Sequence, residues 1–172
     1  MAQAVDASKN LPSDVRNREV VFPAERDPQL GNLETPVNSS PVVKWFINNL
    51  PAYRLGLTPF RRGLEVGMAH GYWIFGPFAK YGPLRNAENA NLAGLLAAIT
   101  LVIFLTGGLS LYANSNPAKA LNSVTGASAP DAFLSKEGWN NFASAFLIGG
   151  IGGAVVAYFL TSNIAIIQGL VG

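Results

Sequence analysis

The chain has no cysteine and a single histidine, His70, in its 172 residues. It can therefore form no disulfide, no thiolate zinc site and no cysteine-ligated iron–sulfur cluster. A lone histidine also excludes a haem held between two histidines of this chain, and any site built from several imidazoles. Charge is scarce too. Asp, Glu, Lys and Arg make up 13% of the residues, against about 25% in soluble domains. No basic stripe with interleaved aromatics is present, which argues against nucleic acid as a partner. No glycine-flanked serine accompanies His70, so no catalytic constellation is found and the chain reads as non-enzymatic. The net charge of +2 and pI near 9.0 say little when so few groups titrate.

The few charges are unevenly placed. Asn89–Ala118 and Gly138–Gly172 contain no Asp, Glu, Lys or Arg, and mean hydropathy is +0.26. A bilayer core takes about 20 mostly apolar residues per helix, and each stretch is long enough. The expected fold is an all-α integral membrane protein with three transmembrane helices and an extended N-terminal arm. The arm with a short surface helix occupies 1–58. The membrane domain occupies 59–172, with spans at about 59–81, 91–113 and 141–168. The arm's first forty residues hold Pro12, Pro23, Pro28 and Pro36 and no apolar period. They read as extended chain that gains structure against a partner. A short amphipathic helix is expected near Val42–Asn49, ended by Pro51 and suited to a membrane surface or a partner's flank.

The first span is the marginal one. Its uncharged centre, Val66–Ala79, is short, and only the full run Pro59–Tyr81 reaches roughly 34 Å at 1.5 Å per residue. That run crosses a bilayer with Glu65 and His70 inside it. Ser135 is placed to cap the third helix, with Glu137 in its first turn. No cleavable signal is visible at the N-terminus, which leaves the first span as the insertion signal. Lys44, Arg54, Arg61, Arg62, Lys119 and Lys136 fall on one side of the spans, and Lys80 and Arg85 on the other. The excess puts the N-terminus in the cytoplasm (stroma) and the C-terminus across the membrane.

Two sets of residues stand out. Gly63, Gly67 and Gly71 recur every four positions, as do Ala145, Gly149, Gly153 and Ala157. Such faces let another helix backbone or a flat ring approach closely. Packing among the three helices is one reading, and contact with another subunit or a cofactor is the other. The second set is Glu65 and His70. Ionisable side chains in a membrane helix face protein, water or a ligand. A neutral imidazole offers a lone pair, and a carboxylate offers oxygen to a hard cation such as magnesium. Five positions apart, they lie about 140° from each other around the helix, so each would serve a different ligand. Plain alternatives stand beside these: a hydrogen bond from His70 to a neighbouring helix, and pairing of Glu65 with Arg61 or Arg62 one turn back. Tyr72, Trp73, Phe75 and Phe78 could pack on ring faces or simply fill a core.

Asn49-Leu-Pro-Ala-Tyr-Arg54, Gly56-Leu-Thr-Pro59 and Arg62-Gly-Leu-Glu-Val-Gly-Met-Ala-His-Gly-Tyr72 form a specific pattern. With Gly82-Pro-Leu-Arg85, Gly138-Trp139 and Gly149–Phe159, the chain from Gly31 to Gly172 closely resembles the subunit XI (PsaL) family of cyanobacterial photosystem I. The resemblance implies three membrane helices with a stromal N-terminus and a lumenal C-terminus in the thylakoid membrane. It implies a subunit that binds antenna chlorophyll a and β-carotene, with lipid, and joins photosystem I monomers into oligomers. It implies no redox cofactor of its own. Some cyanobacteria carry a paralogue used under far-red light, and chlorophyll f is also implied if this chain is that form. Glu65 and His70 match the family positions that ligate chlorophyll magnesium. Implied partners are the PsaA and PsaB core, small membrane subunits such as PsaI and PsaM, and PsaL of neighbouring monomers. Family members also hold a calcium through the backbone at the position of Pro83 and an Asp just after the Leu-Arg. Here that position is Asn86, and losing the charge weakens a hard-cation site. The long arm resembles those of filamentous cyanobacteria, some of whose photosystems are tetramers or dimers and not trimers. A pigment-free membrane scaffold or transporter component is the alternative function.

Overall fold

A computed structural model describes residues 21–24, 27–118 and 130–164. The first twenty residues of the arm, Lys119 and the last four residues of the expected third span (165–168) lie outside them. The described chain falls into two compact units that divide between Leu55 and Gly56, three residues before the boundary expected from sequence.

In the first unit, β1 (Phe22–Pro23) pairs antiparallel with β2 (Leu33–Glu34), Phe22 opposite Glu34. The arm thus carries local structure where its prolines suggested only extended chain. The cause lies in the turn chemistry. The Asp27 carboxylate accepts from Gln29 N at 2.9 Å and starts a 3-10 turn over Pro28–Leu30, and Gly31 ends it at φ 63°. That left-handed conformation suits glycine. Helix α1 (Pro41–Asn49) follows, with Ser40 Oγ accepting from Val43 N at 3.3 Å. It buries no residue and leaves Val42, Trp45 and Phe46 exposed.

The second unit is a three-helix bundle. Helix α2 spans Pro59–Tyr81, as expected: Thr58 caps it by accepting from Arg61 N at 3.2 Å, Pro59 presets the first turn, and Gly82 closes it. Helix α3 spans Ala90–Asn114. Helix α4 spans Lys136–Ser162, with Ser135 Oγ accepting from Gly138 N at 3.1 Å and Glu137 in the first turn. It starts about five residues before its apolar run because the cap, and not hydropathy, sets the start. Among the described residues, α3 and α4 are long and apolar enough to cross a membrane. Arg61, Arg62, Glu65 and Lys80 leave α2 less apolar than either.

Glycines set how α2 meets α4. A Cβ on Gly63, Gly67 or Gly71 would strike the carbonyl oxygen of Phe142, Phe146 or Gly150 respectively. In the other direction, a Cβ on Gly149 or Gly153 would strike the carbonyls of Leu64 and Met68. Because the contacts advance together along both helices, α2 and α4 run parallel and in step. Helix α3 runs antiparallel to both: Gly94 abuts Ala79, Val102 abuts Gly150, and Asn91 Nδ2 donates to Ser162 Oγ at 3.3 Å. Phe75, Ala98, Ala154 and Ala157 form the buried core where the three helices meet, with Phe78 packed against it. Thr100 and Thr106 of α3 are satisfied within the helix, each donating to a carbonyl four residues back at 2.8 Å.

Candidate functional site

His70 lies one turn beyond Val66 on α2. Its Nδ1 is 2.8 Å from the Val66 carbonyl oxygen. A carbonyl only accepts, so Nδ1 carries a proton, and in the neutral ring the lone pair then lies on Nε2. This is the tautomer a metal needs from a neutral imidazole, and the backbone bond also fixes the ring's orientation. The ring meets Phe146 edge to face at 5.4 Å between centroids.

His70 opens on a cleft of about 520 Å³ built from all three helices. Its lining is Val66 and His70 of α2; Phe104, Leu105, Gly108, Leu109 and Tyr112 of α3; and Trp139, Phe142 and Phe146 of α4. Small-molecule sites typically fall at about 300–1,000 Å³ with mostly apolar walls and few polar groups. One wall is a run of aromatic contacts. Phe146 stacks on Phe142 at 6.3 Å, Phe142 meets Trp139 at 5.9 Å, and Trp139 meets Tyr112 at 5.0 Å. Trp139 is held from behind by Phe133, whose ring lies 4.8 Å away and whose carbonyl accepts from Nε1 at 2.8 Å. The cleft exists because α3 leaves its small Gly108 there, with open space where a Cβ would stand.

One lone pair in an apolar, flat-walled cleft does not suit a bare cation, which needs several donors at once. It suits a metal that already carries a planar ring of ligands and lacks an axial one. The magnesium of chlorophyll is such a metal, and the residues present fit it.

The other residues singled out from sequence are placed as follows. Glu65 is half-buried on α2 and is not among the residues lining the cleft. Phe75 is buried and Phe78 half-buried in the bundle core, while Tyr72 and Trp73 are exposed and meet each other edge to face. The rings around His70 come instead from α4. Pro83 and Asn86 lie exposed in the turn between α2 and α3. Among the described residues no three His, Cys, Asp or Glu side chains gather to hold a metal. A carbonyl at Pro83 and an amide at Asn86 fall short of the six to eight oxygens calcium takes, so these residues alone do not fit that ion. The small-residue faces are occupied by each other's helix, Gly63, Gly67 and Gly71 against α4, and Gly149 and Gly153 against α2. Sequence reasoning did not single out the α3 and α4 lining. Trp139, Phe142 and Phe146 recur at three- and four-residue steps, which was the available signal.

Comparisons with known proteins bear on this arrangement. The sequence profile described as photosystem I reaction centre subunit XI, PsaL, matches residues 20–166. The chain is 84% identical over its whole length to the photosystem I reaction center subunit XI of Trichormus variabilis, all of which is covered. It is 77% identical to that of Mastigocladus laminosus, covering all of this chain and 99% of the relative. With the Synechococcus elongatus subunit it shares 54% identity across 79% of this chain and 83% of the relative. By a profile that takes in the whole bundle up to residue 166, and by relatives matched from end to end, the chain belongs to the photosystem I reaction centre subunit XI family.

Proposed function

We propose that the chain is a non-enzymatic subunit of photosystem I in the thylakoid membrane, where it binds antenna pigment and joins neighbouring monomers. The observation that carries the pigment reading is His70, whose Nδ1 is engaged by Val66 so that Nε2 is available beside an aromatic cleft. Nε2 is the axial donor to a chlorophyll magnesium. When bound, the pigment supplies absorption and excitation transfer; the chain supplies position, orientation and a dry, low-dielectric wall. Glu65, on another side of α2, is the carboxylate donor to a second chlorophyll. β-Carotene and lipid cover the exposed apolar faces. The calcium expected at Pro83 and Asn86 is not part of this reading.

The packing supports a reading with three membrane crossings. Helix α4 is long and apolar enough to span, and α2 lies parallel to it in step from Gly63 to Gly71. Two helices so matched occupy the same depth, and α3 returns between them. Arg61, Arg62 and Lys136 then share the stromal end with the N-terminus, while Lys80 and Arg85 lie at the lumenal end.

His70→Leu in the assembled complex should remove one chlorophyll per subunit with the helix still inserted, measured by pigment extraction and low-temperature absorption. An unchanged pigment count and spectrum would favour the pigment-free scaffold or transporter component. Deleting the subunit should leave photochemically active monomers. Trimers or tetramers persisting on native gels would overturn the assembly role.

A further inference from the structure

The cleft beside His70 carries one polar group that axial ligation does not use. Of its lining residues, three carry polar side-chain atoms: His70, Trp139 and Tyr112. The His70 Nδ1–H is spent on the Val66 carbonyl, and the Trp139 indole N–H is spent on the Phe133 carbonyl. The Tyr112 hydroxyl is the remaining donor of the lining. Its ring is held edge to face on Trp139 at 5.0 Å, so the hydroxyl is carried on a fixed lever.

Helix direction decides where that lever points. Side chains lean toward the N-terminus of their own helix. Helices α2 and α3 run antiparallel, so His70 leans toward the end where Tyr112 sits, and Tyr112 leans back toward His70. Their ring contacts on α4, Phe146 for His70 and Trp139 for Tyr112, are seven residues apart, or about 10 Å of rise. Both side chains thus lean toward the stretch of cleft that lies between them. A chlorophyll carries carbonyls at its rim, and its ring keto group is conjugated with the macrocycle. A hydrogen bond to that oxygen draws electron density outward and lowers the excitation energy.

We propose that Tyr112 donates a hydrogen bond to a rim carbonyl of the pigment that His70 ligates, and so sets that pigment's absorption to the red. The proposal rests on His70 being an axial ligand. It makes Tyr112 a positioning and tuning residue: His70 fixes the centre of the ring, and Tyr112 fixes its rotation about the axial bond.

The test is Tyr112→Phe in the intact photosystem, which keeps the ring and its contact with Trp139. Resonance Raman should show one keto-carbonyl stretch move up to the frequency of a free carbonyl. One absorption component should shift to the blue, with chlorophyll count unchanged. Tyr72→Phe, whose hydroxyl lies outside the cleft, should leave both readouts alone. Tyr112→His, which restores a donor, should return the carbonyl band toward its original place, and this variant decides the matter if the phenylalanine variant accumulates poorly. Unchanged carbonyl bands in Tyr112→Phe, with one chlorophyll still lost in His70→Leu, would overturn the tuning role and leave the site standing. No pigment lost in His70→Leu would remove both.

Discussion

Helix α4 meets its two neighbours in opposite ways. Toward α2 it presents glycine and alanine, and the two backbones touch with no side chain between them. Toward α3, at the end holding Trp139, it presents aromatic rings, and a cleft stays open. Helix α4 is also the more enclosed of the two apolar helices, with 44% of its apolar stretch buried in the bundle against 17% of that of α3. In lipid, where apolar side chains gain little by leaving the solvent, association comes from backbone proximity and van der Waals fit. Small residues thus fasten α2 to α4, and large ones on α4 line a cleft left open beside α3. The two faces are independent enough to be broken one at a time.

The largest effect is expected on the fastened side. Gly71→Leu puts a side chain where the Gly150 carbonyl and the Ala154 amide stand. Overpacking a tight site costs about 1–3 kcal/mol when side chains can yield, and backbone yields less. The subunit should be largely missing from isolated complexes, as read by immunoblot; a normal amount would mean that α2 and α4 do not touch as described. Gly108→Leu should act on the open side. Nothing stands within 4 Å of a Cβ there, so the bundle should form and the subunit should accumulate while the cleft fills. One chlorophyll should be lost, and if pigment count held, the cleft would not be where the pigment sits. The smallest effect belongs to Gly76→Ala, on α2 but off the seam, with open space around it. Here helix propensity alone acts, worth up to about 1 kcal/mol in favour of alanine. The temperature at which the subunit dissociates should hold or rise, and a fall would show a hidden contact on that face.

How far the sequence alone could lead depended on whether a feature was local. The limits of α2 were legible because Thr58, Pro59 and Gly82 are stop and start signals in their own right. The start of α4 was legible from Ser135 and Glu137 but blurred in the hydropathy, which does not register until about Asn141. The glycine repeat announced a close approach without naming the partner, because parallel pairing across some eighty residues is a tertiary choice. His70 was conspicuous as a costly group, yet its tautomer depended on where Val66 placed a carbonyl. The cleft was the least legible part. Tyr112, Trp139 and Phe146 lie far apart in the chain, and ordinary aromatic content conceals them until the antiparallel turn of α3 brings them to one side.

The parallel pairing of α2 with α4 has a consequence for how the protein is made. On the three-crossing reading, the helix least able to settle in lipid leaves the ribosome first, carrying His70 and an exposed glycine face. The surface that covers that face is about eighty residues further along the chain. The membrane must therefore hold α2 as an unfinished half until α4 arrives, with its glycine face uncovered in the meantime.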